Sequence, residues 1–279
     1  MLGKLSPGLH VAATPIGHLG DVSSRLREAF EAADRIICED TRVTGKLLAA
    51  LGLSGRPLAA YHEHNAERVR PGMLRELESG AAVVLVSDAG TPLISDPGFK
   101  LVRQARDLNV PVFSIPGPSA LIAALSIAGA PTDAFSFLGF LPKGSGQRAT
   151  LLNGLKDRQE TLVFYETGPR IAASLQSIVG CLGERNVSVA RELTKLHEEV
   201  VEGPADQLAA RYRETPPKGE IVLIVHPAVD ADVIDLDGLL TELLSRESLR
   251  ESARIAAEMT GRPRKECYAR ALELQKTSS

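Results

Sequence analysis

The sequence predicts an α/β protein in which two α/β domains, residues 1–118 and 119–229, precede a small helical module at residues 236–279. Three observations favour this architecture. The first half alternates short apolar runs with amphipathic stretches, the second half repeats the pattern less regularly, and the C-terminal end has only helical patterns. Alternation of this kind is typical of a largely parallel sheet covered by helices on both faces.

The first domain contains apolar runs short enough to be buried strands. These runs are GLHVAAT (8–14), DRIIC (34–38), PLAAY (57–61), AAVVLV (81–86) and PVFSI (111–115). Between them, the apolar spacing of four segments suits helices, namely 25–33, 42–51, 67–77 and 99–108. The pattern predicts a parallel sheet, whose carboxyl edge is the usual place for a ligand.

The second domain has the same elements in a different arrangement. Its predicted strands are FSFLGF (135–140), ETLVFYE (160–166), NVSVAREL (186–193), HEEVVEG (197–203) and GEIVLIV (219–225). Short charged turns such as 193–198 indicate that some neighbours are antiparallel, so we predict a mixed sheet. The segment 116–132 would cross from one domain to the other.

The C-terminal module follows a polar linker at 230–238 and contains helical patterns at 239–246, 248–261 and 263–275. Ser248 is a suitable N-cap, Gly261 a suitable C-terminal stop, and Pro263 a suitable first residue of the next helix. This outline fits a helix-turn-helix, although a plain three-helix cap fits it equally well.

Composition limits the possible functions. The chain of 279 residues has a net charge of −3, which argues against a general electrostatic attraction to nucleic acid. Residues 246–276, however, carry +3 and the rest −6, so the module is the part suited to phosphate. No apolar run predicts a secretory signal or a membrane span, and the three scattered cysteines are typical of buried thiols, so we expect a cytoplasmic protein.

The loops after the predicted strands of the first domain are rich in glycine, proline and aspartate. They read TPIGHLGD (14–21), CEDTR (38–42), SDAGTPLISDPG (87–98) and IPGPSA (115–120). Ordinary βα turns with helix caps would explain any one of them, but together they predict a ligand site at one sheet edge. No dinucleotide or P-loop fingerprint is present, and His62 and His64 in YHEHN alone do not predict a metal site.

These motifs, with GPSALIAALSIAG, GFLPKG, FYE and ARELTKLHEE, resemble the tetrapyrrole methylase superfamily over residues 8–227. Within it, they are similar to the ribosomal RNA branch, whose members methylate the ribose 2′-hydroxyl of a cytidine in the decoding region of small-subunit RNA. The helical module resembles the helix-turn-helix of that branch. Two departures stand out, since His18 replaces the usual asparagine and TGPR (167–170) replaces a pattern closer to SPHR.

The resemblance implies S-adenosylmethionine as the cofactor, bound between the two α/β domains. Asp88, Ala89 and Gly90 would lie along its amino-acid portion. The residues implied around its adenosine and ribose are Pro15, Ile94, Ser119, Ala120, Tyr165, Glu166, Leu193, Gly219 and Glu220. Several of these contacts would come from backbone atoms.

For the chemistry, Asp40 is the candidate that positions or deprotonates the acceptor hydroxyl, Asp21 is the second, and Arg42 would hold a phosphate. Asp40 could equally cap a helix that begins at Thr41. RNA contacts are expected from a mobile loop over 143–148 and from the module. The residues concerned are Lys143, Arg148, Arg262, Arg264 and Lys265.

Three functions remain open on this evidence. A ribosomal RNA 2′-O-methyltransferase fits best, with the ribosomal RNA or the assembled small subunit as partner and a homodimer as the working form. A tetrapyrrole C-methyltransferase acting on uroporphyrinogen or precorrin shares the core, although the basic module argues against it. A non-catalytic nucleic-acid-binding protein would rest on the helix-turn-helix outline alone.

Overall fold

The computed structural model describes residues 5–228, 236–260 and 262–277. The chain divides into two compact units, Met1–Pro227 and Ala228–Ser279. The proposed division of the first unit at residue 118 stays a prediction.

The first unit begins with a parallel sheet. Its strands are β1 (Gly8–Ala12), β2 (Arg35–Cys38), β3 (Leu58–Ala60), β4 (Ala82–Val86) and β5 (Val112–Ile115). The helices between and after them are α1 (Ser24–Ala32), α2 (Thr41–Ala50), α3 (Ala66–Glu78), α4 (Phe99–Asp107) and α5 (Ala120–Ile127). The strand order is β3-β2-β4-β1-β5 with parallel pairing throughout, which confirms the predicted sheet.

Burial explains why β4 forms the middle of this sheet. Each residue of AVVLV is buried, because helices cover both faces of the strand. One face packs against Phe30 and Leu26 of α1, and the other contributes to a cluster with Met73 and Leu101. The strand ends directly at Ser87, so the following loop starts from a rigid support.

A second sheet follows in the same unit. Its elements are β6 (Phe135–Phe140), α6 (Ser145–Asn153), β7 (Thr161–Thr167), α7 (Gly168–Leu182), β8 (Asn186–Arg191), β9 (Glu199–Pro204), α8 (Ala205–Glu214) and β10 (Glu220–Val225). The order is β6-β7-β10-β8-β9, with β6 parallel to β7 and the other pairs antiparallel. The predicted mixed sheet is therefore confirmed.

The C-terminal unit has its own apolar core. Helices α9 (Leu236–Leu244), α10 (Leu249–Thr260) and α11 (Arg264–Thr277) bury Leu240, Ala256 and Cys267 between them. Gly261 and the linker residues 230–235 lie outside the described residues. Cys38 and Cys267 are buried as predicted, whereas Cys181 is partly exposed. Among the helices that the structure describes, none is both long and apolar enough to cross a membrane.

Candidate functional site

A cavity of about 390 Å³ lies at the carboxyl edge of the parallel sheet and extends to the second sheet. Its size falls within the range of about 300–1,000 Å³ that is usual for small-molecule sites. Of the cofactor-binding residues predicted from the sequence, those that line it are Asp88, Ala89, Gly90, Ile94, Ser119, Ala120, Tyr165, Glu166, Leu193 and Glu220. Pro15 and Gly219 are the exceptions among them, and each directly precedes a lining residue, Ile16 and Glu220. The structure thus brings together residues from distant parts of the sequence.

Gly90 fixes the shape of the loop after β4. Its backbone has φ +75°, and it exchanges two hydrogen bonds with Thr14, N–O distances 2.9 and 3.0 Å, which tie this loop to the loop after β1. A Cβ at Gly90 would lie 3.3 Å from Cγ2 of Ile16, another lining residue. A glycine suits this position for two reasons, because it adopts the left-handed backbone without strain and because its missing side chain allows the close approach of Ile16.

The cavity loops hold residues other than glycine in the left-handed region. Leu93 and Ser95, in the loop after β4, have φ 71° and 66°. Glu192 and Thr194, in the loop after β8, have φ 50° and 64°. Such residues cost about 1–3 kcal/mol each and persist where the surrounding structure imposes them, often at functional sites.

Carboxylates dominate the polar lining of the cavity. Glu39 follows β2, Asp88 and Asp96 belong to the loop after β4, and Glu220 begins β10. Burial, followed by repulsion from Glu39, Asp88 and Glu220, raises the pKa of Asp96 to about 6, although a hydrogen bond from Ser87 opposes the shift. Burial and the nearby Asp88 also raise the pKa of Glu39. A site with this lining suits a cationic ligand, and sequence reasoning missed both Glu39 and Asp96.

The other part of the lining is apolar and suits a flat ring. Ile16, Ala120 and Val222 belong to a buried cluster, or pack against it, between α5 and the second sheet. The charges of the cavity and this apolar wall together match S-adenosylmethionine, which combines a sulfonium and an ammonium group with an adenine. The residues present therefore fit that cofactor.

Asp40 has a different surrounding from the one expected of a base. Its carboxylate is the N-cap of α2, accepting from the Arg42 backbone N at 2.8 Å, and it also pairs with the Arg42 guanidinium at 2.6 Å. The hydrogen bonds from Arg42 lower the pKa of Asp40 to about 2. A carboxylate held this way accepts protons poorly, so the capping alternative is the better interpretation.

The predicted roles of Arg42 and Asp21 stay predictions. The Arg42 guanidinium is engaged by Asp40, although its side chain is largely exposed. Asp21 ends a short 3-10 helix, Leu19–Asp21, and is exposed. Among the described residues that line the cavity, neither Asp21 nor Asp40 nor Arg42 is present.

His18, at the position where the family usually has asparagine, caps the short 3-10 helix that follows it. Its Nδ1 accepts a hydrogen bond from Gly20 N at 3.0 Å and so caps the 3-10 helix. An asparagine oxygen can make the same kind of bond. The His18 backbone N donates to Thr194 Oγ1 at 3.1 Å, which joins the loops after β1 and β8 at the cavity.

The TGPR segment is held by contacts of its arginine and by close packing at its glycine. Arg170 pairs with the buried Glu166 at 3.3 Å and donates to the Leu141 carbonyl. Glu166 also accepts from Ser174 Oγ at 2.5 Å, so its carboxylate is used within the protein although the residue lines the cavity. A Cβ on Gly168 would lie 1.7 Å from the Pro217 carbonyl oxygen, so the glycine permits this close approach.

Two aromatic neighbours of the predicted Tyr165, Phe137 and Phe140, were not predicted as part of the site. Tyr165 contacts Phe137 and Phe140 edge to face, with ring centroids 4.8 and 5.5 Å apart. Phe140 lines the cavity yet is 47% exposed. A register shift in β6 between Phe137 and Phe140, with Gly139 at φ 67°, breaks the regular alternation there, and irregularities of this kind can redirect a side chain.

The prediction for 143–148 is corrected in part. Helix α6 begins at Ser145, so the segment is not a continuous loop. Arg148 is buried, and its guanidinium donates to Ser177 Oγ at 2.9 Å and to the Pro142 carbonyl at 3.3 Å. Arg148 therefore holds the start of α6, whereas Lys143 is exposed and stays available for contact.

The predicted basic residues of the C-terminal unit differ in their pairing. Arg264 and Lys265 are exposed in the first turn of α11. Arg262 is half-buried and lies 3.4 Å from Glu266. Arg254 on α10 is bound by Glu251 and Glu258.

The two histidines of the YHEHN motif, His62 and His64, were weighed as metal ligands in the sequence analysis. The His62 and His64 rings are 6.1 Å apart, and in the described ranges no group of three or more His, Cys, Asp or Glu is arranged to bind a metal ion.

Comparison with protein families gives two matches. Residues 8–209 match the Tetrapyrrole (Corrin/Porphyrin) Methylases, and residues 230–275 match the RsmI C-terminal HTH domain.

Among curated proteins, relatives similar over nearly the whole chain share one name, Ribosomal RNA small subunit methyltransferase I. The relative from Mesorhizobium japonicum is 48% identical over 98% of this chain and 94% of its own length. The relative from Escherichia coli O157:H7 is 44% identical over 96% of this chain and 95% of its own length.

Solved structures share the fold at low identity. Diphthine synthase superposes with a TM-score of 0.61 at 15% identity, covering 78% of this chain and 89% of its own. Uroporphyrin-III C-methyl transferase from Thermus thermophilus, complexed with S-adenyl homocysteine, superposes with a TM-score of 0.53 at 18% identity. The match covers 80% of this chain and 97% of that one.

Proposed function

We infer the function from one premise, which is that this chain belongs to the ribosomal RNA small subunit methyltransferase I family within the tetrapyrrole methylases. It is an S-adenosylmethionine-dependent methyltransferase that acts on ribosomal RNA. We propose that its acceptor is the ribose 2′-hydroxyl of a cytidine in the decoding region of the small subunit. The observation that carries this proposal is identity of 44–48% along almost the entire chain, C-terminal helices included, to relatives named Ribosomal RNA small subunit methyltransferase I.

Most of the rate enhancement would come from orientation. Bound S-adenosylmethionine supplies an electrophilic methyl group on a positively charged sulfur. The carboxylates of Asp88 and Glu220 would attract that charge, and the fixed loop around Gly90 would orient the amino-acid portion. We propose that the remaining predicted residues of the cavity surround the adenosine and ribose. Holding two reactants in attack geometry can supply roughly 7–11 kcal/mol of the barrier reduction.

The molecule that accepts the methyl group distinguishes ribosomal RNA methylation from tetrapyrrole C-methylation. We expect labelled S-adenosylmethionine to transfer its methyl group to small ribosomal subunits, and not to uroporphyrinogen. Free ribosomal RNA, tested beside assembled subunits, shows which of the two is the substrate. Transfer to uroporphyrinogen alone would replace the proposal with tetrapyrrole C-methylation, whereas no transfer to any acceptor would favour a non-catalytic binding protein.

The C-terminal helices, with Lys143, are proposed to contact RNA. Replacing Arg264 and Lys265 together by alanine is expected to weaken binding of the small subunit, because both side chains are exposed at the start of α11. Removal of each ion pair with an RNA phosphate should reduce the slope of log K against log salt by roughly 0.7–0.9. Filter binding at several salt concentrations measures this slope.

Arg254→Ala is the matched control for that pair. Glu251 and Glu258 already bind the Arg254 guanidinium, so we expect little change in the salt dependence. Arg262 belongs to the proposed surface as well, but it would first have to leave Glu266. Equal effects of the control and of the double variant would contradict the proposed surface at the start of α11.

The working form is proposed to be a cytoplasmic homodimer with domains at 1–118, 119–229 and 236–279. Large apolar side chains at Ile122, Ile127 and Phe135 are exposed on the first unit, which supports an additional interface. Light scattering of the purified chain tests the dimer.

A further inference from the structure

Asp96 is one of the carboxylates at the cavity. It lines the cavity in the loop after β4, and the carboxylates that repel it come from three different elements. Glu39 follows β2, Asp88 follows β4, and Glu220 begins β10 of the second sheet. Asp96 in turn helps to raise the pKa of Tyr165 on β7. Its carboxyl group is therefore within electrostatic reach of both sheets.

Three of the five other carboxylates known to line the cavity in the described residues have defined structural partners. Asp88 accepts from the backbone N of Asp40 at 3.0 Å. Glu192 pairs with Lys195 at 3.0 Å, and Glu166 accepts from Ser174. The Ser87 hydroxyl is close enough to lower the pKa of Asp96, while it donates to the backbone carbonyls of Ala89 at 3.2 Å and Gly90 at 3.4 Å. A hydroxyl neighbour leaves the carboxylate its charge and its capacity to take up a proton.

The backbone around Asp96 is held in an uncommon conformation. Leu93 and Ser95 have φ 71° and 66°, and Gly98 has φ 139°. A Cβ at Gly98 would lie within 3.1 Å of Leu85 and 3.2 Å of Leu93, so this end of the loop is tightly packed on β4. The strain is consistent with a loop shaped to present Asp96 to the cavity.

We propose that Asp96 accepts the proton of the acceptor hydroxyl during methyl transfer, an assignment that rests on the proposed function above. The acceptor oxygen bonds to the methyl carbon and displaces the sulfur, which keeps the electron pair of the former carbon–sulfur bond. The hydroxyl proton passes to the Asp96 carboxylate and from there to solvent. The sulfur ends as a neutral thioether, so charge and protons balance.

The titration of Asp96 suits this task. A pKa of about 6 leaves the carboxylate ionised at neutral pH but more basic than an ordinary aspartate. Below that pKa the group is protonated and inactive as a base. The wild-type rate is therefore expected to rise with pH through about 6 and then level off.

Single-turnover methylation of small ribosomal subunits, measured between pH 5 and 9, tests the proposal. Asp96→Asn is expected to bind S-adenosylmethionine within about three-fold of wild type in calorimetry and to react roughly 10²–10⁴-fold more slowly. Its remaining rate should lack the rise near pH 6. Asp96→Glu restores the carboxylate and should recover part of the rate together with the rise.

Asp40→Asn is the control, because Asp40 caps α2 outside the cavity. It should keep the wild-type pH profile. If Asp96→Asn reacts within three-fold of wild type at every pH, or if Asp40→Asn instead loses the rise, the assignment to Asp96 is wrong. If the wild type itself transfers nothing to ribosomal subunits, the proposed function fails and the assignment fails with it.

A second measurement needs no cofactor or substrate. Because the folded-state pKa of Asp96 lies above its unfolded value, the contribution of Asp96 to stability falls as pH rises from about 4 to about 6, where this partly buried group ionises. Asp96→Asn does not ionise. Its melting temperature should therefore exceed that of the wild type increasingly over this window and by a constant amount above it. A melting-temperature difference that is independent of pH would show that Asp96 has an ordinary pKa and would overturn the assignment.

Discussion

Gly90→Val is expected to raise the dissociation constant for S-adenosylmethionine at least 100-fold. The backbone at Gly90 has φ +75°, which a β-branched residue adopts only with strain, and the new side chain would start 3.3 Å from Ile16 on the cavity wall. The loop would have to shift, and with it the paired hydrogen bonds to Thr14. A 100-fold loss corresponds to about 2.7 kcal/mol of binding free energy.

Stability has to be separated from binding in this experiment. The strain alone is expected to lower the free energy of unfolding by about 1–3 kcal/mol. Gly55→Val provides the control, because Gly55 has φ +82° but a Cβ there would meet nothing within 4 Å. We expect Gly55→Val to show a similar loss of stability with unchanged cofactor affinity in calorimetry. Normal affinity in Gly90→Val would contradict the assignment of this loop to the cofactor.

Removal of the C-terminal helices is expected to impair the use of the ribosomal substrate while leaving cofactor binding nearly unchanged. A chain of residues 1–235 should bind S-adenosylmethionine within a few-fold of the full chain, because the described residues that line the cavity lie between Ile16 and Val222. Methylation of small ribosomal subunits should fall at least ten-fold, since Arg264 and Lys265 are removed together with the rest of the basic segment.

The C-terminal unit has its own core, which makes this truncation interpretable. Leu240, Ala256 and Cys267 are buried within that unit, and the first unit has separate apolar clusters around each sheet. The competing explanation is that the helices stabilise the rest of the protein. In that case the truncated chain would lose melting temperature and cofactor affinity together, and the variant of Arg264 and Lys265 would bind RNA normally at low salt.

The strands and the cavity loops could be predicted because buried strands are continuously apolar in the sequence and shaped loops are rich in glycine and proline. AAVVLV reads as a buried strand because both of its faces are covered, and the glycines and prolines that follow mark a shaped loop. The parallel sheet then determines that the loops after β1, β2, β4 and β5 meet at one edge.

The roles of single polar residues could not be predicted in the same way. Asp40 and Asp96 both stand beside turn residues, but one carboxylate bonds to Arg42 and the other is turned toward the cavity. Sequence spacing does not distinguish a helix cap from a proton acceptor. Arg148 was misassigned for a related reason, since its burial against Ser177 depends on how α6 and α7 pack.

The left-handed residues of the cavity loops affect which substitutions this protein accepts when stability or activity is under selection. Glycine or asparagine at Leu93, Ser95, Glu192 or Thr194 would adopt the same backbone with less strain. Selection for heat resistance alone would therefore accept such replacements early, at positions in the loops of the cavity. Natural and laboratory lineages that keep turnover under selection are expected to resist them, so thermal tolerance and catalytic rate should compete at these four positions.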